Sequence, residues 1–552
     1  MAPTASRNRF KKLAFAALAT AAIVIGAGGS GNAAAPEGTE QPNFVVVVTD
    51  DQDSSTFNPK VMPNTFDLLR DGGTRLDQFT IATPLCCPSR AAQLTGQYGH
   101  NNGVLSNNPG YGLLRAPTEV LPAWLQLAGY TTAHVGRFLN GYKYGPGGAL
   151  APAPGWDRWI TLTDFHYRDF ELSIDGESTW VIGDSPRQYL TRDLHRRTNA
   201  LLRELIAGAA PWYLQLDELA PHSDDYARGV CERSALPGPD GFNAIRGLPG
   251  VRVPANPAGE RNLNDKPSYI RRLPPIDATT RRAIQTRMRC RAAAVHEADR
   301  GIGSMVSLLR AHDELDDTVF VIYSDNGFFD GQHRVVKSKG LPYEPSIVVP
   351  AMIRIPESVL GMTPPRRFSA PTSNIDVAPT VLDLAGAAPC LEPDRCRRPD
   401  GRSMIGGLTG DEPWPADRPI LIEADQQGRI TGGTLACHYA GVRTADQLYV
   451  DYVSVVDRER TGCEPSEESE HYRLDKRSEG ESQPLAAAER GRPSGTDAPP
   501  RPDRTALDLL GERRRTAGDH RRLRRTTRES LLVAARRGPA SGRGHNVFGQ
   551  DT

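Results

Sequence analysis

A chain of 552 residues, 38% hydrophobic and 24% charged, has room for two or more hydrophobic cores. Its composition excludes a wholly disordered chain, a coiled coil and a collagen-like fibre. With 66 Lys+Arg against 66 Asp+Glu, the formal charge is zero, which excludes a protein basic throughout and built to coat nucleic acid.

At the amino terminus, Arg7, Arg9, Lys11 and Lys12 precede an apolar run over 13–28, followed by Ala33 and Ala35 in an A-x-A arrangement. Residues 1–35 read as a secretory signal peptide cleaved near Ala35. The run is short for an uncleaved membrane anchor of about 20 residues. No later stretch is long and apolar enough to cross a bilayer, so the mature chain is expected to be secreted or extracytoplasmic and not bound to a membrane.

Residues 44–48 predict a buried strand, 63–70 and 121–128 helices, and 131–135 a short strand. Helical periodicity returns over 191–206 and 279–312, and 212–216, 319–323 and 347–353 predict further strands. This alternation predicts an α/β fold, a mostly parallel central sheet flanked by helices. In such a sheet, ligands gather at the carboxyl ends of the strands. The Pro-, Gly-, Asn- and Arg-rich segment 223–275 reads either as a loop at the site mouth that shapes substrate choice or as a solvated insertion. Residues 420–423, 440–444 and 448–452 predict short antiparallel strands.

Two predicted strands run into candidate ligands, Asp50 with Asp51 and Asp325 with Asn326. Each pair alone could equally cap a turn or helix. Together, as oxygen donors on two strand ends of one sheet, they suit a hard divalent cation such as calcium or magnesium. Six scattered cysteines could form up to three disulfides, and proximity favours Cys390 with Cys396 and Cys437 with Cys463. Cys86 and Cys87 are adjacent and stand apart from these.

Cys86-Cys87-Pro88-Ser89-Arg90, continued by Leu94-Thr95-Gly96, resembles the C-x-P-S-R-x-x-x-L-T-G motif of the type I sulfatases, in the alkaline phosphatase superfamily. The resemblance spans about 42–475. It implies that a formylglycine-generating enzyme oxidises Cys86 to formylglycine, whose hydrate is the nucleophile, and that Cys87 fills the variable place. By the same resemblance, Asp50, Asp51, Asp325 and Asn326, with residue 86, hold calcium or magnesium, and Arg90 favours ionisation of the hydrate. His222, in Ala220-Pro221-His222-Ser223, and Lys339, in Lys339-Gly340-Leu341-Pro342, look like the residues that bind the sulfate or protonate the leaving oxygen. Which of the two is acid and which is base stays open. The resemblance divides the chain into a catalytic α/β domain over 36–410, closed by a helix near 374–383, and a small C-terminal sheet domain over 411–483.

Residues 86–104 and Gly136-Arg137-Phe138-Leu139-Asn140 look most like the branch of N-acetylglucosamine-6-sulfatases and heparan 6-O-sulfatases. Arg137 stands where that branch usually has lysine. In a substrate-binding place it keeps the positive charge and can hold two oxyanion oxygens, but its permanent charge makes proton transfer doubtful. A side chain turned to solvent is the other reading. The implied activity is hydrolysis of a sulfate ester, on a sulfated carbohydrate or a small organic sulfate. A phosphodiesterase or phosphonate monoester hydrolase, and a non-catalytic glycan-binding relative, are the alternatives on the same scaffold.

Residues 484–552 hold 15 arginines, 8 acidic residues and no Cys, Lys, Tyr or Trp. They read as a disordered basic tail able to bind an anionic polymer, with 507–515 and 521–535 helical in part, or as the product of an altered reading frame. The body, 36–483, then carries 47 basic and 58 acidic residues, a net charge of −11. Such a body repels nucleic acid and long polyanions and favours short or singly sulfated substrates.

Overall fold

Seven consecutive buried residues, Asn43–Thr49 (β1), form the central strand of the main sheet. The computed structural model describes residues 41–142, 150–238, 263–390, 396, 398–426, 435–459 and 461–474. The leader, the tail and residues 239–262 of the long loop lie outside these. Among the described residues, no helix is long and apolar enough to cross a membrane.

A Val-rich run with no polar alternation suits a strand covered on both faces. Phe44, Val46 and Val48 enter one core, while Val45 and Val47 enter the other. Helices Leu190–Ile206 and Ala278–Ala311 pack on the second face, and helix Val377–Leu384 joins the first. The remaining strands of this sheet are Gly73–Leu76 (β2), Thr131–Arg137 (β4), Arg158–Leu162 (β5), Phe170–Ile174 (β6), Glu177–Val181 (β7), Trp212–Asp217 (β8), Thr318–Ser324 (β9), Ala351–Arg354 (β10) and Arg367–Phe368 (β11). Their order is β11-β2-β10-β9-β1-β8-β4-β5-β6-β7, and Phe79–Thr80 (β3) and Thr372–Ser373 (β12) pair with each other in a separate two-stranded sheet.

The middle, from β9 to β5, is parallel, while both flanks contain antiparallel pairs. On one flank, Asp175-Gly176, both at positive φ, make the two-residue turn that pairs β6 with β7, the Asp-Gly signature of a tight hairpin. On the other flank the predicted strand 347–353 is broken. Glu344–Ile347 forms a helical turn, Val348 bridges Thr80 outside the main sheet, and β10 begins only after Pro350, which has no N–H to donate.

The C-terminal strands Ile420–Asp425 (β13), Ala436–Arg443 (β14), Gln447–Val456 (β15), Cys463–Pro465 (β16) and Ser469–Arg473 (β17) form a separate antiparallel sheet. Its buried face shares one core with Phe329, Val335, Leu341, Tyr343 and Ile347, on the segments that carry and follow Lys339. Cys437–Cys463 ties β14 to β16, and Cys390–Cys396 and Cys231–Cys290 are also bonded.

Within that shared core, Glu470 accepts hydrogen bonds from Tyr343 (2.9 Å), Tyr452 (2.6 Å) and Tyr472. Burial pushes its carboxyl up to about 7, against the opposing pull of these bonds and of Lys266. The folded protein therefore keeps a proton that the unfolded chain, with an ordinary Glu near 4.3, has lost. Stability should fall as pH rises from about 4.5 to 7, by about 2–3 kcal/mol. Glu470→Gln should remove that decline. Melting temperatures of both proteins across this range test it, and parallel curves would reject the assignment to Glu470.

Candidate active site

Parallel register brings four strand ends together. Thr49 pairs with Ser324 and Val48 with Asp217, while Gly136 also pairs with Asp217. Asp50, Asp325, Asp217 and Arg137 consequently meet at the carboxyl edge of the sheet. Gly136, at φ +106, is required there, because a Cβ would lie 1.9 Å from the Asp217 carbonyl oxygen. Asp51 follows in the left-handed region, φ +67, and its N–H donates to Asp325 (3.1 Å).

Helix Cys86–Thr95 points its amino terminus into this edge, and every residue in it is buried. Positions 86 and 90 share a helix face at one-turn spacing. The helix is held from behind by Asn374 Nδ2, which donates to the Ser89 carbonyl (3.0 Å) and Oγ (3.1 Å). Cys86 Sγ lies 3.4 Å from Asp50 Oδ1 and accepts from Lys339 Nζ at 2.6 Å. Burial pushes the Cys86 thiol well above the ordinary range despite nearby Arg137 and Lys339. An unmodified cysteine here is protonated at neutral pH and a poor nucleophile.

Arg90 is 1% exposed and serves three carboxylates: Asp217 (2.8 Å), Asp325 (2.9 Å) and Asp50 (3.3 Å). Arg137 is also buried. Its guanidinium pairs with Asp50, donates to Asn140 Oδ1 (3.1 Å) and stacks over Phe165 at 4.4 Å. It is therefore turned inward and not to solvent. Lys339 pairs with Asp51, and although burial opposes its charge, Asp51, position 86 and Asp50 together hold it protonated. His222 Nδ1 donates to the Ser223 carbonyl (2.7 Å), which leaves Nε2 facing Asp51 Oδ2 at 3.9 Å. Burial lowers the His222 pKa, outweighing the pull of Asp50 and Asp51.

Donor atoms of Asp50, Asp51, Cys86 and Asp325 all lie within 4.8 Å of one another. Asn326 Nδ2 donates to Asp51 (2.7 Å), but its Oδ1 is buried without a hydrogen-bond partner. An orphaned buried acceptor beside three carboxylates fits an oxygen-seeking divalent cation. All the residues singled out from the sequence thus meet in one place, and Asp51, His222 and Lys339 line a cleft of about 570 Å³ that opens to solvent.

Several contributors were not anticipated. Asp217 accepts from Arg90 and from Gln215 Nε2 and lies 2.9 Å from His134 Nε2, while His134 Nδ1 contacts Thr161 Oγ1 at 2.9 Å. A signal existed, because Asp217-Glu218 follows a predicted strand just as Asp50-Asp51 does. Phe165, under Arg137, carried no signal at all.

The sulfatase family model matches residues 42–387. The chain belongs to the sulfatase family. An arylsulfatase of Chlamydomonas reinhardtii is 30% identical over 420 residues, covering 72% of this chain and 63% of the algal protein. The chain therefore spans less than two thirds of the length of that relative. The N-acetylglucosamine-6-sulfatase of Homo sapiens is 28% identical over 405 residues, covering 71% of this chain and 69% of the human protein, so the branch expected from the motifs is among its matches. The solved structure of BT4656 in complex with its substrate D-glucosamine-2-N,6-O-disulfate superposes with a TM-score of 0.60 at 22% identity, covering 79% of this chain and 91% of that chain. The fold is the one that the motif implied.

Proposed function

We propose that this sulfatase is exported, matures by conversion of Cys86 to formylglycine, and hydrolyses a sulfate ester on a sugar. The observation that carries the reading is the place of residue 86, at the amino terminus of a buried helix between Asp50 and Lys339 and one turn from Arg90. As formylglycine hydrate, this residue supplies one hydroxyl to attack sulfur and a second whose collapse to the aldehyde expels sulfate. Asp50, Asp51, Asp325 and Asn326 would hold calcium or magnesium, which supplies charge neutralisation to the sulfate oxygens.

The surrounding side chains have separable tasks. Arg90 fixes Asp50 and Asp325 and lowers the cost of an anionic oxygen at position 86. Arg137, sealed against Asp50, orients that carboxylate. Lys339, held protonated, binds a sulfate oxygen. His222, with Nδ1 anchored on Ser223, exchanges a proton at Nε2 with the alcohol oxygen of the sugar. Maturation requires a formylglycine-generating enzyme, and export accords with three disulfides, which persist in oxidising compartments.

Protein from a host with that enzyme should release sulfate from N-acetylglucosamine 6-sulfate and from an aryl sulfate, with kcat/KM at least about tenfold above that for an aryl phosphate diester. The reverse order would transfer the chain to the phosphoesterases. Removing divalent ions with EDTA should lower activity by about 10²-fold or more and reduce the melting temperature, both recovering on addition of calcium or magnesium. No change in either quantity would remove the metal from this reading.

A further inference from the structure

Beside Asp51, His222 and Lys339, two further cations border the cleft, Arg233 and Lys337. The loop carrying Arg233 is firmly built. Asp224 N–H donates to the Ser234 carbonyl (3.1 Å), and Arg233 N–H to that of Ala227 (3.2 Å). The Asp224 carboxylate accepts from the N–H groups of Tyr167 (3.0 Å) and Tyr226 (2.8 Å). Cys231, two residues before Arg233, is bonded to Cys290 in the long helix Ala278–Ala311. Arg233 itself is held at φ +50, an uncommon conformation for a residue with a side chain. From the facing segment, Lys337 Nζ donates to the Arg233 carbonyl at 3.1 Å.

Both side chains are exposed, and among the described residues neither forms an ion pair. The contrast with their neighbours is plain, since Arg90, Arg137, Lys339 and Arg287 are each paired with an aspartate. Asp225 shares the cleft lining but joins no ion pair with either cation. Asp225 and Asp51 draw on the Lys337 charge from a distance, against burial and the nearby Arg287, but neither closes an ion pair with it, so two positive heads, held by a disulfide-anchored loop and a hydrogen bond between segments, stay open to a planar or tetrahedral anion.

We propose that Arg233 and Lys337 form a second anion subsite that grips another sulfate on the same or the adjoining sugar, making the enzyme selective for multiply sulfated short saccharides. The inference rests on the sulfatase reading above and names the substrate class of that site. A cleft of about 570 Å³ suits a small saccharide. The net charge of −11 on the body is no obstacle at this range. Fields between exposed charges are screened beyond about 8 Å at physiological salt, so two local cations govern a ligand already in the cleft.

The test compares glucosamine 6-sulfate bearing an N-sulfate with N-acetylglucosamine 6-sulfate, on the full-length protein and on the Arg233→Gln/Lys337→Gln double variant. The unaltered protein should prefer the disulfated sugar by about tenfold or more in kcat/KM, mainly through KM, and the double variant should lose that preference. Calorimetric binding of both sugars should show the same tenfold difference and the same loss. A preference that survives in the variant, or none in the unaltered protein, overturns the subsite. Aryl sulfate turnover by the unaltered protein is the separate control. Its absence would refute the sulfatase reading, while the calorimetric comparison would still decide whether Arg233 and Lys337 bind a second sulfate.

Discussion

Cys86→Ala is expected to lower kcat/KM for any sulfate ester by about 10⁴-fold or more, while Cys87→Ala stays within about threefold of the unaltered enzyme. The two thiols make a matched pair. Both are buried and free of disulfide, so both substitutions remove one sulfur from a packed site at a similar cost of about 1 kcal/mol. Their surroundings differ. Cys86 faces Asp50 and Lys339, whereas Cys87 points to the Asn140 carbonyl at 3.8 Å, where burial pushes its thiol up to about 12. Sulfate release under saturating and sub-saturating substrate, with melting curves for both variants, gives the comparison. Hydrazide labelling of the peptide containing residue 86 should reveal an aldehyde. Equal activity of the two variants would sink the assignment of the nucleophile.

The second large effect should fall on stability. Asp217→Ala is expected to destabilise the fold by about 3–5 kcal/mol, because it strips a buried arginine of one of its carboxylates. Arg90 would retain Asp50 and Asp325 but lose its 2.8 Å partner, and His134 would lose its contact at Nε2. The guanidinium would also be free to shift toward Asp50, so kcat should fall with stability. Urea unfolding is the appropriate measurement, read at constant m-value. Asp217→Asn should recover part of the loss by keeping an acceptor for Gln215 Nε2, which now donates to Asp217 at 2.9 Å. A loss below about 1 kcal/mol for the alanine variant would show that Asp50 and Asp325 alone satisfy Arg90.

The parts of the molecule legible from sequence are those where chemistry and period coincide. The Val-rich β1 could only be a strand buried on both faces, and the carboxylates that follow it, with those after β9, had to sit at one sheet edge once the strands were parallel. Cys86 and Arg90 were readable through the resemblance of their motif to that of the type I sulfatases, whereas the helix Cys86–Thr95 that sets them one turn apart emerged only in the structure. What escaped depends on partners far along the chain. Asp217 matters because strand register sets it against Arg90, 127 positions earlier by number, and nothing local to 212–217 says so. The strand predicted over 347–353 failed because Pro350 divides it and Val348 finds its bridge with Thr80. The Asp175-Gly176 hairpin had a local signal, and overlooking it left the antiparallel flank unexpected.

The depth of Cys86 sets a timetable. With 1% of its surface exposed, the thiol of the folded protein is out of reach of another enzyme, and Lys339 Nζ lies against it at 2.6 Å. Lys339 lies 253 residues downstream. At about 5–20 residues per second, ribosomes need about 10–50 s to make that stretch. On the maturation proposed above, conversion of Cys86 would be a race between a modifying enzyme and the folding of the chain's own later half, and a molecule that folded first would remain a thiol.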